Sequence, residues 1–142
     1  MQLKRDTDYA LRILLCAAKR NSENEPGMTL SEFSKNTAVP LTIAARLCRK
    51  LTETEFLKTV TGNDRAVRYM IKQSAFEKTV LNVICAVEEQ GRLFAVFDRS
   101  TELYAICKEY FDEVDRQLSD LLSTMTIGEL LQKGQMQKMK PQ

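Results

Sequence analysis

The sequence contains no histidine, and its four cysteines stand far apart, at 16, 48, 85 and 107. Without histidine the commonest general base and nucleophile activator is missing. Nothing replaces it: there is no glycine-rich phosphate loop, no paired carboxylates in an apolar setting and no nucleophile elbow. An enzyme is not expected. No two cysteines fall two to four residues apart, which excludes the usual zinc spacings, and no metal site is expected. All four lie among apolar neighbours on expected helices, the setting of reduced core thiols. No apolar run approaches the ~18 residues that span a bilayer. The start, Met1 to Asp6, is basic but leads into an amphipathic segment with Arg12, unlike a secretory signal. A cytoplasmic protein without membrane association is expected.

Hydrophobic residues make up 44% of the 142 and charged residues 28%, ordinary values for a globular domain. The net charge of +2 is unevenly placed. Residues 1–72 hold 13 Lys/Arg against 8 Asp/Glu, and residues 73–142 hold 8 against 11. That is +5 on one half and −3 on the other, the pattern of a polyanion-binding head on a body with another task.

Asp6 or Thr7 can cap a first helix to about Arg20, with Ala10, Leu11, Leu14, Leu15 and Ala18 on its apolar face. Asn21 to Gly27 is a polar breaker. A second short helix opens at Thr29 or Leu30, a turn spans Asn36 to Pro40, and a third helix begins near Pro40. It turns Ile43, Ala44, Leu47, Cys48 and Leu51 inward and Thr42, Ala45, Arg46, Arg49 and Lys50 outward. The period then changes to that of strands over Phe56–Thr61 and Val67–Ile71, with turn chemistry at Gly62-Asn63-Asp64 between them. Three helices and a two-stranded hairpin, with Arg65 and Arg68 exposed at its tip, form the order of a winged helix-turn-helix.

The fold class is thus mainly α: a winged helix-turn-helix head over 1–74, a dimerisation or sensor region over 75–134, and a flexible tail over 135–142. A fourth helix is expected over about Phe76–Glu89. The stretch Gln90 to Ser100 is irregular yet apolar, with Leu93, Phe94, Val96 and Phe97. A long helix of about 101–124 follows. Its stripe, which includes Leu103, Cys107, Tyr110, Val114, Leu118, Leu121 and Met125, is too wide for the head alone to bury. It suits either a second copy in a homodimer or intrachain packing. Thr126 and Glu129 stand in capping-box relation before a last short helix.

In the third helix Thr42, Arg46 and Arg49 fall near one face. Arginine can grip guanine bidentately and threonine can reach a base or phosphate, so double-stranded DNA is the expected partner. The alternative is an ordinary solvated helix face; the arginines on the hairpin shift the balance toward DNA. Thr29 and Ser31 at the second helix, and Leu41, Ala45 and Lys50 on the third, complete the expected contact set.

The segments Leu3–Arg12, Met28–Ser34, Leu47–Leu51, Leu81–Glu88 and Thr126–Leu131, in that order, resemble the Rrf2 regulators, the IscR/NsrR/CymR-like group. The resemblance implies a winged-helix head, a long helix crossing to the partner of a homodimer, and binding to an imperfect palindrome in promoters, as repressors do. Many members hold an iron–sulphur cluster on three cysteines before the long helix. Here Gln90 to Ile106 has none, and only Cys107 lies near its end. Asp8 falls where nitric-oxide-sensing members use an aspartate ligand, but one thiolate and one carboxylate are too few, so no cofactor is expected. Leu93, Phe94 and Phe97 could fill space or line a pocket for a small-molecule or protein effector, with Cys107 a candidate thiol sensor. The wing departs too: it lacks the family's glycine-rich tip, which shifts its expected contacts to the side chains of Arg65 and Arg68. A winged-helix module that binds another protein, and a thiol-based redox sensor, are the competing readings.

Overall fold

The computed structural model describes residues 5–22, 27–62, 64–88 and 102–139. Among them lie α1 (Arg5–Ser22), α2 (Leu30–Thr37), α3 (Leu41–Glu53), β1 (Leu57–Thr61), β2 (Val67–Ile71), a short 3-10 helix (Gln73–Glu77), α4 (Val80–Val87), α5 (Glu102–Leu122) and α6 (Ile127–Met139). The fold is mainly α with one antiparallel hairpin, a winged helix-turn-helix followed by a long helix.

Helix α1 is the centre of the head. Ala10, Ile13, Leu14, Ala17 and Ala18 are buried, while Leu11 and Leu15 are only partly covered. The buried face is therefore rotated from the one expected, because α2, α3, α4, α6 and β2 all pack around this helix. Gly27 then turns the chain at φ 83°, and Met28 exchanges both backbone hydrogen bonds with Tyr69 of β2 at 3.0 and 2.8 Å. A Cβ on Gly27 would lie 2.9 Å from Met70 Cγ and 3.0 Å from the Tyr69 carbonyl oxygen, so only glycine fits this approach.

Helix α2 begins with a capping box. Thr29 Oγ1 accepts from the Glu32 N–H, and the Thr29 N–H donates to Glu32 Oε1. It ends on Ala38, in the left-handed conformation at φ 61°, whose N–H donates to Ser34 O. Pro40 caps α3 from outside instead of occupying its first turn, since its carbonyl accepts the Ala44 N–H at 2.9 Å. Ala44, Leu47, Cys48 and Leu51 are buried as their spacing predicts, with Ile43 at the margin. The hairpin pairs Leu57 with Ile71 and Thr61 with Val67. Phe56 precedes β1 as a buried residue, its N–H donating to Leu51 O at 2.9 Å.

The fourth helix is shorter than its apolar pattern suggests. Thr79 and Asn82 form a second capping box, so α4 starts at Val80 and the preceding residues wind as a 3-10 turn. Val83, Ile84 and Val87 are buried, and Val80 only partly. The first turn of α6 is stitched to this junction: Val80 N–H donates to Met125 O, and Ile127 N–H to Lys78 O. Ile127, Val83 and Val87 enter the same core as Leu14 and Phe33, so packing continues past residue 74. Helix α6 runs to Met139, into the stretch 135–142 expected as a flexible tail.

Helix α5 leaves much of its apolar stripe uncovered. Leu103, Ile106, Tyr110 and Leu121 are exposed, while Phe111, Val114 and Leu118 are half-buried, as is Met125 just past the end of the helix. The cysteines also divide. Cys48 is buried and Cys16 half-buried, but Cys85 and Cys107 are exposed, contrary to four core thiols. Their helices each turn one side away from the head, and both residues fall on those sides. The apolar residues Leu93, Phe94, Val96 and Phe97 lie outside the described residues. No helix among the described residues is long and apolar enough to cross a membrane.

Candidate nucleic-acid interface

The buried stripe of α3 leaves the opposite side of the helix available. Leu41, Thr42 and Arg49 are exposed, and Ala45 is partly so. Leu41, at 49% exposure, is a large apolar side chain held in water next to Thr42, a setting suited to a base or sugar surface.

Arg46 does not share that outlook. Its Nη1 and Nη2 donate to Asp6 Oδ2 and Oδ1 at 2.9 and 3.0 Å, a two-pronged pair. Asp6 stands in the first turn of α1, where helix N–H groups favour a carboxylate. The hydrogen bond from Arg46 holds the Asp6 carboxyl below its ordinary range, against an opposing push from burial. Lys50 likewise turns inward, its Nζ 3.4 Å from Val87 O at the end of α4. The Thr42–Arg46–Arg49 face of the sequence reading is thus split. Thr42 and Arg49 face solvent, whereas Arg46 and Lys50 fasten α3 to α1 and α4. Three-residue spacing puts Arg46 beside Arg49 but cannot show that an aspartate 40 residues earlier lies beneath it. Asp6 reads as a helix cap in the sequence, and its second role was missed.

At α2 the two expected contacts also differ. Ser31 is exposed, but the Thr29 hydroxyl both accepts from the Glu32 N–H and donates to Glu32 Oε1, so it is occupied by the cap.

The wing is closed on itself. Arg68 Nη1 and Nη2 donate to Asp64 Oδ1 and Oδ2 at 2.9 and 2.7 Å, and Asp64 Oδ1 also accepts the Ala66 N–H at 3.2 Å. These bonds hold the Asp64 carboxyl well below the usual carboxylate range. The guanidinium lies across Gly62, where an added Cβ would sit 2.7 Å from Arg68 Nη1. Arg68 is therefore mostly covered, at 22% side-chain exposure, and not open as its sequence position suggests. Arg65 is exposed, adopts φ 62°, and donates its backbone N–H to Gly62 O at 3.0 Å.

Among the described residues the donor set does not fit an iron–sulphur cluster or a metal ion. No three His, Cys, Asp or Glu residues converge among the described residues. The sequence over 89–101 adds neither cysteine nor histidine. Clusters need thiolates, yet burial pushes the Cys48 thiol up to about 12 and raises Cys16, whose Sγ donates to Met28 Sδ at 3.6 Å. Asp8 is paired with Arg12 at 2.8 Å.

Comparison with known proteins agrees with this architecture. The Rrf2 family model, described as an iron-dependent transcriptional regulator, matches residues 3–133. Among solved structures, IscR of T. potens superposes with a TM-score of 0.77 at 13% identity, over 100% of this chain and 94% of that one. CymR of B. subtilis gives 0.73 at 15% identity, over 94% and 98%. The oxidised form of CymR from Staphylococcus aureus gives 0.72 at 17%, over 92% and 96%. At such identities these likenesses show the fold. No curated protein matches the chain by sequence. With nearly the whole chain inside the family match and the winged head in place, the protein belongs to the Rrf2 family, whose members are DNA-binding transcriptional regulators and not enzymes.

Proposed function

We propose that the chain is a cytoplasmic repressor that binds an imperfect palindrome in promoters as a homodimer, without an iron–sulphur cluster. One observation carries this reading: α5 holds Leu103, Ile106, Tyr110 and Leu121 in water, at 62–69% exposure. Such a stripe on a helix that barely touches its own head calls for a partner, and a two-fold copy is the simplest one. Val114 and Leu118 continue the stripe, and Met125 follows just past the helix end. Two heads joined by a two-fold axis read two half-sites in opposite orientation, hence a palindrome.

On each head, Thr42 and Arg49 supply direct contacts from α3, with Leu41 and Ala45 beside them. Ser31, and Thr29 through its cap, bring the start of α2 to a phosphate. Arg65 is an outward cation at the wing's tip. Arg46, Lys50 and Arg68 set the position of these groups and add charge at the margin.

The test is sedimentation of the full chain and of Leu121→Glu, with fluorescence anisotropy on a palindromic fragment from upstream of its own gene. The proposal expects a dimer that the variant dissociates, and weaker DNA binding by the monomer. A parent chain that sediments as a monomer, or that ignores DNA at low salt, contradicts it. A second reading rests on Cys107, exposed on α5 next to Ile106. In that reading oxidation there alters dimer packing, and DNA binding by Cys107→Ser no longer responds to peroxide.

A further inference from the structure

The geometry points to Leu41 as a specificity-determining residue that reads the 5-methyl group of a thymine in the major groove, with Ala45 beside it. The assignment rests on α3 being the helix that meets DNA, as proposed above.

Among the described residues, the winged head exposes two large apolar side chains, Leu41 at 49% and Val67 at 51%. They stand on different elements: Leu41 is the first residue of α3, whereas Val67 opens β2 of the wing. Leu41 is not isolated. Pro40 before it and Thr42 after it are exposed, and Ala45, one turn on, is partly so. Arg49 follows at the same four-residue spacing and is exposed. Leu41, Ala45 and Arg49 thus form a row of about 12 Å along the helix, apolar at its start and cationic at its end. The buried row of Ala44, Leu47 and Leu51 seats the same helix in the core.

The chemistry of the groove selects what this row can meet. The second helix of a helix-turn-helix touches base edges with its first residues, and Leu41 and Thr42 are those residues. In the major groove thymine alone presents an apolar group, its 5-methyl; the other edges present amino donors and N7 or oxygen acceptors. A leucine pressed on those polar atoms strips their water and returns no hydrogen bond. Against a methyl it buries apolar surface on both partners. Leu41 therefore favours thymine over the three other bases at one position of each half-site. The minor groove carries no methyl, so Val67, on a wing that approaches phosphates or the minor groove, makes no such distinction.

Leu41→Ala tests this without threatening the fold, because the side chain stands half in water and alanine favours a helix. Leu41→Met keeps the apolar reach, and Val67→Ala is an equally exposed truncation on the wing. Duplexes are selected from a random library with the full chain. The selected duplex is then remade with uracil for thymine, one position of the half-site at a time, which removes the methyl and keeps the base pair. Fluorescence anisotropy reads the affinities. For the parent, uracil at one position should lower affinity by about fourfold per half-site, the worth of one buried carbon group. Leu41→Ala should bind the thymine and uracil duplexes alike, while Leu41→Met and Val67→Ala should keep the difference. Uracil tolerated at every position, an undiminished response in Leu41→Ala, or its loss in Val67→Ala in place of Leu41→Ala overturns the assignment and leaves DNA binding intact. Enrichment of no duplex at low salt removes the proposed function and the assignment together.

Discussion

Arg46 of α3 clasps Asp6 of α1 with both prongs of its guanidinium, tying the helix that offers Thr42 and Arg49 to the start of the chain's central helix. Because the pair is part-buried, at 38% and 23% side-chain exposure, it is worth on the order of 1 kcal/mol. Arg46→Ala should lower the melting temperature by about 3–5 °C, whereas Arg49→Ala should leave it unchanged and weaken DNA binding by roughly tenfold or more. Calorimetry and anisotropy on the two variants check this; equal melting shifts for both would contradict it.

The same pair sets an acid limb of stability. Arg46 lowers the folded-state pKa of Asp6, so its contribution is present above the unfolded value near ~3.9 and is lost as pH falls through the lower folded value. Asp6→Asn should flatten the dependence of unfolding free energy on pH below about 4. Denaturant melts of parent and variant between pH 3 and 6 measure it, and parallel curves would refute it.

On the wing, Asp64 occupies both prongs of Arg68 while Arg65 stands open. Arg65→Ala should reduce the slope of log affinity against log salt by about one per head. Arg68→Ala should change the slope less. Asp64→Asn, which keeps an acceptor for the Ala66 N–H but loosens Arg68, should tighten binding by roughly twofold to fivefold. A slope loss in Arg68→Ala as large as in Arg65→Ala would show that Arg68 leaves Asp64 on binding.

Gly27 bears on stability alone. At φ 83°, with Met70 and Tyr69 against the position of any Cβ, Gly27→Ala should cost about 2 kcal/mol. A denaturation midpoint equal to the parent's would show that the Met28–Tyr69 bridge yields.

Thiol reactivity follows burial. Cys85 should react with a disulfide reagent at once and Cys48, its thiol pushed up to about 12, only on unfolding. Cys107, exposed on α5, should react quickly in Leu121→Glu and slowly in the parent if the stripe is covered by a second copy. Equal rates in both would speak against that cover.

Much of this was legible in the sequence, for definite reasons. The apolar spacing of α3, the strand composition from Val67 to Ile71, and the Thr126-x-x-Glu129 cap are local patterns, and local patterns fix local structure; Glu129 N–H does donate to Thr126 Oγ1. The Thr79–Asn82 box is equally local, but a helix expected from Phe76 onward runs straight through it. What stayed hidden depends on distant partners. Asp6 beneath Arg46 and the Val80–Met125 stitch join residues 40 or more positions apart. The rotation of α1's buried face reflects how many elements surround it. Asp64 and Arg68 are only four apart, yet their closure needs the bend at Gly62 and the positive φ of Arg65.

Two heads, each presenting Thr42 and Arg49, are proposed to grip one palindrome. Fluorescence anisotropy of the full chain on a labelled palindromic promoter fragment, titrated at several salt concentrations beside Arg49→Ala and a half-site fragment, tests it most directly. The expected result is two chains per palindrome, affinity falling steeply with salt, much weaker binding to the half-site, and marked loss in Arg49→Ala. Binding of parent and Arg49→Ala with equal affinity, or one chain per palindrome, would contradict it.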